Sequence, residues 1–302
     1  MHTAIAFVGA GAIAEALIRG ICQTGVASAA QLTVTNKNTP ARRLHLADTY
    51  GVRACDSIAE AVQAAEVILI CVKPKDVGAA LTETARYARA DALYVSVAAG
   101  CSITWMTDVI QSARSHDAAP GAVRLIRTMP NTSCAVLESA SAYALGDACT
   151  EADGALVERL LGAVGTCHRL EESQLDAVTG LSGTGPAYVY YLVEALTDAG
   201  AAAGLDPDVA YALVTQTLIG AAAMIRQTGD GPATLRERVT SPGGTTMAGL
   251  AVLRDYEFAE AIGAAVRAAT ARSAELGQLW TSVTEGAEVD GPAGTKRPSL
   301  TT

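Results

Sequence analysis

Short apolar runs alternate with longer amphipathic segments along the first half of the chain. The runs predict strands at IAFVG (5–9), LTVT (32–35), VILICV (67–72), LYVSV (93–97), VRLIRT (123–128) and SAYAL (141–145). Helical spacing separates most of them, for example at 12–24, 41–50 and 75–89. This alternation predicts βαβ units and a parallel sheet. VILICV is apolar at every position, which predicts a central strand covered by helices on both sides.

The β pattern ends near residue 170. Segments 186–204, 206–227 and about 244–278 have helical composition, and Asp206 followed by Pro207 predicts a helix start. We place a domain boundary in the interval 166–171, which gives an α/β domain over 1–168 and an all-α domain over 169–282. Residues 283–302 contain Gly and Pro without apolar periodicity, which predicts a disordered tail.

An apolar stretch at 211–225 is interrupted by Thr215, Gln216 and Thr217 and is too short to span a bilayer. It predicts a buried helix, and we expect no membrane association. The N-terminus has no charged region followed by an apolar core and cleavage site, so we find no secretory signal.

Charge and composition narrow the function classes. The net charge of −9 argues against nucleic-acid binding, which requires a basic surface. Seven cysteines are scattered without paired spacing, which indicates reduced thiols and a cytoplasmic protein. The histidines at 2, 45, 116 and 168 have no metal-ligand spacing, so we predict no metal site.

A dinucleotide-binding motif follows the first predicted strand. Gly9, Gly11 and Ala14 form G-x-G-x-x-A at the start of a predicted helix. The first glycine permits a tight turn, the second lets the backbone approach a pyrophosphate, and the alanine keeps helix and strand close. The helix start offers free amides to the anion. The predicted cofactor loop consists of Gly9, Ala10, Gly11, Ala12 and Ile13.

The end of the second strand bears on cofactor preference. An acidic residue there would bind the ribose 2′-hydroxyl of NAD. This chain instead has Asn36, Lys37 and Asn38, followed by Arg42 and Arg43. The pattern favours NADPH, with NADH as the alternative if the segment is only a solvated turn.

Two later strand ends complete a predicted cofactor groove, because ligands of open α/β sheets bind at the carboxyl ends of the strands. The first ends in CVKP and the second in AAG, whose small side chains leave room for a flat ring. The predicted contacts are Cys71, Val72, Lys73, Pro74, Ala98, Ala99 and Gly100.

Two glycine–hydroxyl breaks interrupt the helical half, at SGTGP (182–186) and VTSPGGTT (239–246). Breaks of this kind expose amides that bind a carboxylate, and hydroxyls add hydrogen bonds to a polar ligand. The same residues also serve as simple helix caps, so the residues alone leave both interpretations open.

Taken together, these motifs resemble those of the pyrroline-5-carboxylate reductases. VTSPGGTTMAGLAVL (239–253) is similar to the signature of that family, with support from GAGAIAEAL (9–17), CVKP (71–74), SVAAG (96–100), RTMPNT (127–132) and DAVTGLSGTGPAYVY (176–190). The similarity covers about residues 4–280. It implies an N-terminal Rossmann-type domain and an all-α dimerisation domain that forms an interlocked homodimer, with decamers as a further expectation.

The resemblance also implies an activity and its residues. The expected reaction is reduction of 1-pyrroline-5-carboxylate to L-proline by NADPH, the last step of proline biosynthesis. Asn36 and Lys37 match the 2′-phosphate region, and Thr246 is the expected catalytic residue, with its hydroxyl on the ring nitrogen. The matching substrate-binding positions are Glu172, Ser241, Gly243, Gly244, Thr245 and Thr246.

Three positions depart from the family pattern. Ser133 replaces a second proline of many relatives, Ile58 stands where some place an Asn against the adenosine, and Gly229 where some place a second substrate-site glutamate. We expect these changes to affect adenosine packing and anchoring of the substrate loop rather than the reaction.

The mechanism expected for a cyclic imine fits the motifs. A protonated imine is already electrophilic, so positioning is the main task of the enzyme. No His, Asp or Lys pair lies inside these motifs, whereas a hydrolase or carbonyl reductase would need a group to move a proton.

Two alternatives remain at this stage. One is another NADPH-dependent enzyme of the same plan, acting on a related cyclic imine or a 3-hydroxyacid, although residues 171–205 lack the lysine that hydroxyacid enzymes use. The other is a non-catalytic NADP(H)-binding regulator, since fold alone does not fix function.

Overall fold

The computed structural model describes residues 3–114 and 122–283, and side chains as far as Leu279. The predicted tail at 283–302 lies outside the described residues apart from Val283, which ends the last helix. His2 and His116 also lie outside them.

The strands of the described residues form one eight-stranded sheet. They are β1 (Ile5–Val8), β2 (Leu32–Thr35), β3 (Arg53–Cys55), β4 (Val67–Ile70), β5 (Leu93–Ser96), β6 (Arg124–Met129), β7 (Ser139–Leu145) and β8 (Gly165–Arg169). Their order is β3-β2-β1-β4-β5-β6-β7-β8. All neighbours run parallel except β6 and β7, which pair antiparallel. The chain between 129 and 139 is too short for the crossover that parallel strands need.

Helices connect these strands and then form the C-terminal half. The first six are α1 (Ala12–Thr24), α2 (Pro40–Tyr50), α3 (Ile58–Val62), α4 (Val77–Tyr87), α5 (Ile103–Ala113) and α6 (Glu151–Gly162). The others are α7 (Leu175–Val178), α8 (Gly185–Ala202), α9 (Pro207–Thr228), α10 (Pro232–Arg238), α11 (Thr245–Asp255) and α12 (Phe258–Val283). One π-helical turn, Thr179–Gly183, joins α7 to α8. Single 3₁₀ turns lie at Ala29–Gln31, Pro74–Asp76, Thr132–Val136 and Glu172–Gln174.

The core has two layers, one on each face of the sheet. In β1, Ile5 and Phe7 face the layer that α1, α2 and α6 cover, whereas Ala6 and Val8 face the layer under α3, α4 and α5. The central strand β4 is buried at every residue, which confirms its prediction. Each large apolar side chain buried in this way contributes about 1.5–3 kcal/mol. The predicted α/β domain with a mainly parallel sheet is therefore confirmed.

Two strands were absent from the prediction, and both have weak apolar patterns. β3 has the sequence RAC and β8 has GTCHR, so neither shows the alternation that marks a strand. Pairing with a neighbouring strand defines them, β2 in one case and β7 in the other. β8 ends at Arg169 and helices follow, while the exact domain boundary stays a prediction.

Helix α9 differs from its prediction as a buried helix. Its start is as expected, because the Asp206 carboxylate accepts hydrogen bonds from the amides of Asp208 and Val209. However, Ala210 is its one buried residue, and α9 is the one described helix long and apolar enough to cross a membrane. The prediction that α9 is buried was therefore wrong for the single chain, in which α9 packs against α8 but leaves most of its side chains exposed. Large apolar side chains are also exposed on α8 and α11.

Candidate active site

The G-x-G-x-x-A motif folds into a tight turn at the ends of three strands. Gly9 has φ +109° and donates its N–H to the Thr35 carbonyl at 2.9 Å. A Cβ on Gly9 would lie 2.5 Å from the Cys71 carbonyl oxygen, so only glycine fits. The turn is thereby fixed between the ends of β1, β2 and β4.

The start of α1 is open to a ligand. Gly11 is the N-cap in an extended conformation, and space is free for 4 Å around the position of a Cβ. Gly11 and Ala12 are exposed, whereas Ala10 and Ala14 are buried. Ile13 packs against the core. The first amides of α1 therefore face an open space beside the strand ends, a cradle that fits a dinucleotide pyrophosphate.

A cleft of about 210 Å³, here called the strand-end cleft, lies beside this turn. Its lining includes Gly9, Asn36, Lys37, Ile58 and Val72. Two carboxylates, those of Asp76 and Glu83, lie on the α4 side. No described carboxylate pairs with Lys37, which leaves its ammonium group available to an anion. Ile58 contributes an apolar part of the wall of this cleft.

The two arginines that follow are held by other groups. The Arg42 guanidinium donates to the Ala10 carbonyl at 3.2 Å and pairs with Glu15. Arg43 donates to the Asn36 carbonyl at 3.3 Å and pairs with Asp56. Hydrogen bonding to Arg42 holds the pKa of the Glu15 carboxyl below its usual range. These arginines support the backbone around the strand-end cleft, and Lys37 is the cation that lines it.

A second cleft of about 240 Å³, here called the junction cleft, lies between the sheet domain and α12. From the sheet side it is lined by Pro74, Ala99 and Gly100, three of the predicted cofactor contacts. Ala98 is buried just behind them, and Cys71 and Lys73 precede Pro74 at the end of β4. The predicted groove therefore continues along the carboxyl ends of β2, β1, β4 and β5.

Helix α12 forms the opposite wall of the junction cleft. One helical face, with Ala269, Arg272, Ser273 and Leu276, lines the cleft. The adjacent face packs on the sheet domain through Gly277, where a Cβ would lie 2.5 Å from the Gly100 carbonyl oxygen. None of these residues was predicted, because a helix of small side chains gives no local sign of which face binds a ligand.

The SGTGP segment forms the third side of the junction cleft. Thr179 and Thr184 line it at the two ends of the π-helical turn, a feature frequent at functional sites. The Thr184 N–H donates to the Thr179 carbonyl at 2.8 Å. Within the turn, a Cβ on Gly180 would lie 2.3 Å from the Thr270 hydroxyl oxygen, so the glycine allows close packing on α12.

The π-helical turn is supported by contacts with the RTMPNT segment (127–132). The Asn131 side-chain amide donates to the Ser182 carbonyl at 3.0 Å, and a Cβ on Gly183 would lie 2.5 Å from the Met129 methyl carbon. Ser133 donates its N–H to the Asn131 side-chain oxygen at 3.1 Å, a bond that a proline at this position could not make.

Glu172 lies at the base of the junction rather than in the lining of the cleft. Its carboxylate accepts a hydrogen bond from the Ile103 amide at 2.7 Å and faces the Arg127 guanidinium at 3.4 Å. Its role as a substrate ligand stays a prediction. An arginine inside the apolar strand VRLIRT was the sequence signal for this cluster, and the prediction did not use it.

The SPGGTT loop lies apart from both clefts of its own chain. Ser241, Gly243 and Thr245 are exposed, and Gly244 and Thr246 are half-buried. No hydrogen bond within the described ranges 3–114 and 122–283 joins these residues to the sheet domain. The amides of Thr245, Thr246 and Met247 at the start of α11 have no acceptor among the described residues. The loop therefore has free amide donors that lie outside the two clefts of its own chain.

The chemistry available in the junction cleft is limited. Its described lining contains no Asp, Glu, His or Lys, and the Arg272 guanidinium in it donates hydrogen bonds but accepts none. Burial raises the pKa of the neighbouring Cys101 thiol to about 11, so this cysteine is neutral near pH 7. No group of His, Cys, Asp and Glu among the described residues is arranged to hold a metal ion.

Comparison with protein families gives matches to both halves. Residues 172–276 match a family model for pyrroline-5-carboxylate reductase dimerisation, and residues 4–100 match one described as NADP oxidoreductase, coenzyme F420-dependent. A pyrroline-5-carboxylate reductase of Arabidopsis thaliana is 41% identical over 275 residues, which cover 91% of this chain and 95% of the relative. Pyrroline-5-carboxylate reductase 2 of Bacillus subtilis is 39% identical and covers 90% and 94%.

Solved structures with the same fold align with nine-tenths of this chain. A Coxiella burnetii pyrroline-5-carboxylate reductase aligns with a TM-score of 0.82 at 29% identity, covering 91% of this chain and 99% of the other. A Plasmodium falciparum pyrroline carboxylate reductase with NADP bound aligns with a TM-score of 0.76 at 28% identity, covering 91% and 98%.

Proposed function

The chain belongs to the pyrroline-5-carboxylate reductase family, and from that membership and the site geometry we propose that it reduces 1-pyrroline-5-carboxylate to L-proline with NADPH. The observation that carries the proposal is the junction cleft. Its described lining has hydroxyls, a guanidinium and small apolar groups but no side chain suited to proton transfer. Such a lining suits a protonated imine, which needs orientation rather than acid catalysis.

The sheet domain provides the cofactor site in this proposal. The turn Gly9–Ile13 holds the pyrophosphate, Asn36 and Lys37 face the 2′-phosphate, and the strand ends at Cys71–Pro74 and Ala98–Gly100 border the nicotinamide. When bound, NADPH supplies the hydride. The NADP-bound Plasmodium falciparum relative and the lysine in the strand-end cleft both support NADPH over NADH.

The hydroxyl-rich loop provides the substrate site. We assign the substrate carboxylate to the free amides at the start of α11 and to Ser241, because a helix start attracts anions. Gly243 has φ +71°, which lets the chain turn directly before the helix. Thr246 then directs its hydroxyl to the ring nitrogen and accommodates the amine as the charge of that nitrogen changes.

A partner subunit supplies this loop to the cleft. The loop lies apart from the clefts of its own chain, and α8, α9 and α11 carry exposed apolar side chains such as Tyr191, Ile219 and Val252. Residues 172–276 match a dimerisation model, which supports oligomer formation. We therefore propose a homodimer in which apolar helices cover one another and each loop reaches the partner's junction cleft. Assembly into a decamer is a further expectation.

Two other functions compete with this proposal. A cyclic imine with a six-membered ring offers the same carboxylate and ring nitrogen, and a regulator would bind NADPH without turnover. The free amides of the SPGGTT loop favour an enzyme, because a sensor of NADPH needs no imine site. We also expect a cytoplasmic protein that binds neither nucleic acid nor membranes, in line with its charge and unpaired cysteines.

The test is NADPH oxidation by the purified protein with 1-pyrroline-5-carboxylate, its six-membered homologue and no substrate, with amino-acid analysis of the product. We expect one proline for each NADPH consumed and the highest kcat/KM on the five-membered ring. Binding of NADPH without oxidation supports the regulator, and a higher kcat/KM on the six-membered ring reassigns the substrate.

A further inference from the structure

A buried guanidinium lies beneath the junction cleft without lining it. Arg127, in the middle of β6, is 5% exposed and pairs with Asp176 at 3.0 Å and with Glu172 at 3.4 Å. Burial of a charge is unfavourable even when the charge is paired, so apolar residues of similar volume often stabilise a core as well. Arg127 therefore calls for an explanation beyond stability, and its partners provide one.

The first ion-pair partner, Asp176, connects Arg127 to α12, the helical wall of the cleft. A single oxygen of Asp176, Oδ1, accepts hydrogen bonds from Arg127 and, at 2.8 Å, from the Ser273 hydroxyl. Ser273 belongs to α12, is 4% exposed and lines the junction cleft. One turn further along α12, Gly277 packs on the Gly100 backbone. Asp176 thus ties the position of α12 to the sheet.

The second ion-pair partner, Glu172, connects Arg127 to the sheet wall of the cleft, formed by the loop after β5. Glu172 Oε1 accepts the Ile103 amide at the start of α5, only three residues after Gly100. The loop that carries Ala99 and Gly100 is therefore fixed on one side by β5 and on the other by a carboxylate that faces Arg127. Both walls of the cleft are tied to the same guanidinium.

We propose that Arg127 is a positioning residue, which acts through Asp176 and Ser273 on one side and through Glu172 on the other to set the separation of the two cleft walls. The expected effect on kcat rests on the proposed function, whereas the expected effect on the separation of the two walls does not. It gives Glu172 a supporting task within the protein, distinct from the substrate contact that family resemblance implies.

The consequence follows from the sensitivity of transfer reactions to geometry. A misplacement of about 1 Å lowers the rate by roughly 10²-fold. The cluster does not include the Gly9–Ile13 turn or the strand-end cleft, which hold most of the proposed NADPH contacts, but it does fix the Ala98–Gly100 segment beside the nicotinamide. The cluster should therefore affect kcat far more than NADPH affinity.

The test is a double-mutant cycle on the full-length chain with Arg127→Met, Ser273→Ala and both together. We expect kcat to fall by about 10²-fold for Arg127→Met and about 10-fold for Ser273→Ala. The double variant should fall by about 10²-fold rather than by the product, since residues of one network are not additive. Arg127→Lys should restore part of the activity, because it keeps the charge but not the fork of donors.

Amide hydrogen exchange provides a readout independent of turnover. Exchange in segments 98–104 and 269–277 should rise in Arg127→Met and Ser273→Ala, while exchange at 9–17 stays unchanged and the Kd for NADPH changes by a smaller factor than kcat. Arg169→Met is the matched control, because this arginine of β8 forms an exposed pair with Glu151. Ser273→Ala removes a single oxygen atom, so it keeps the test valid where Arg127→Met fails to fold.

The outcomes separate the two proposals. Additive losses of kcat, or unchanged exchange in both wall segments, overturn the positioning role of Arg127. A wild-type protein that binds NADPH but does not oxidise it with the imine overturns the proposed function, while the exchange measurement still decides the structural claim.

Discussion

Gly100 and Gly277 meet backbone to backbone where the sheet domain joins the helical half, so closely that a Cβ on Gly277 would lie 2.5 Å from the Gly100 carbonyl oxygen. Gly100 has φ +76°, a conformation that side chains disfavour. Two glycines far apart in the sequence thus define one contact, and the junction cleft lies beside it.

Gly277→Ala should separate the two walls of this cleft. We expect a net loss of about 1–3 kcal/mol in the free energy of unfolding from overpacking, together with lower kcat. Denaturant unfolding and steady-state kinetics measure both. Gly162→Ala is the matched control, because Gly162 ends α6 with free space around it, so alanine there should be neutral or slightly stabilising. Equal behaviour of the two variants would contradict the close contact.

Thr246→Ala tests the proposed substrate contact. Loss of one or two well-placed transition-state contacts should lower kcat/KM by about 10- to 1000-fold. The Kd for NADPH should not change, because the proposed contact of Thr246 is with the ring nitrogen of the substrate and not with the cofactor. Thr49→Ala, an exposed threonine of α2, provides the control. Wild-type kinetics in Thr246→Ala would remove this residue from the mechanism.

Lys37→Ala tests the origin of cofactor preference. A hydrogen bond to a charged group contributes about 1.5–3 kcal/mol, so KM for NADPH should rise by at least about 10-fold. The KM for NADH, which has no 2′-phosphate, should stay the same. Lys75→Ala is the control, since Lys75 is exposed and is not among the described residues that line the strand-end cleft. An equal rise in KM for NADPH and NADH would show that residues other than Lys37 determine the cofactor preference.

Asp153→Asn tests the pH dependence of stability. Burial raises the pKa of Asp153, but hydrogen bonds from Arg124 and Thr150 outweigh it and hold the pKa below its usual range. A carboxyl group whose pKa is lower in the folded than in the unfolded state stabilises the fold at pH values above its unfolded pKa of about 3.9. This stabilisation is lost as the pH falls through the folded-state pKa.

At pH 7 we expect Asp153→Asn to lose about 1–3 kcal/mol of unfolding free energy, with a smaller difference from wild type near pH 3. Thermal unfolding across this range measures the difference. Asp91→Asn, which breaks an exposed pair with Arg89, should change Tm little at any pH. A difference that persists undiminished in acid would assign the effect to packing rather than charge.

Local sequence patterns were sufficient for six of the eight strands and for the G-x-G-x-x-A turn. Gly9 and Gly11 mark the turn as a local motif, in which Gly9 is required by its φ of +109° and by the nearby Cys71 carbonyl, whereas the fold leaves free space at Gly11. β4 was predictable because burial on both faces demands an apolar residue at every position. β3 and β8 were not, since their short polar sequences become strands only by pairing with β2 and β7.

The junction cleft depends on contacts between distant segments, and the sequence gives little sign of them. Ser273 and Arg272 are polar residues on a long helix, and nothing nearby in the chain indicates that they face Gly100. Arg127 could have been noticed as a charge in a buried strand, but its partner Asp176 is 49 residues away. The loop with Thr246 was recognised from its motif, yet its distance from the clefts of its own chain emerged only from the fold.

Subunit complementation tests most directly whether the junction cleft of one chain works with the SPGGTT loop of its partner. Thr246→Ala removes the loop hydroxyl, and Gly11→Asp should fold normally while its carboxylate excludes the pyrophosphate, since Gly11 is extended and has free space around it. Each variant alone should reduce 1-pyrroline-5-carboxylate poorly. After the two are mixed, unfolded and refolded together, we expect roughly a quarter of wild-type activity, because half of randomly paired dimers then contain one intact shared site. Activity no higher than that of the separate variants, with mixed dimers present, would contradict a site shared between subunits.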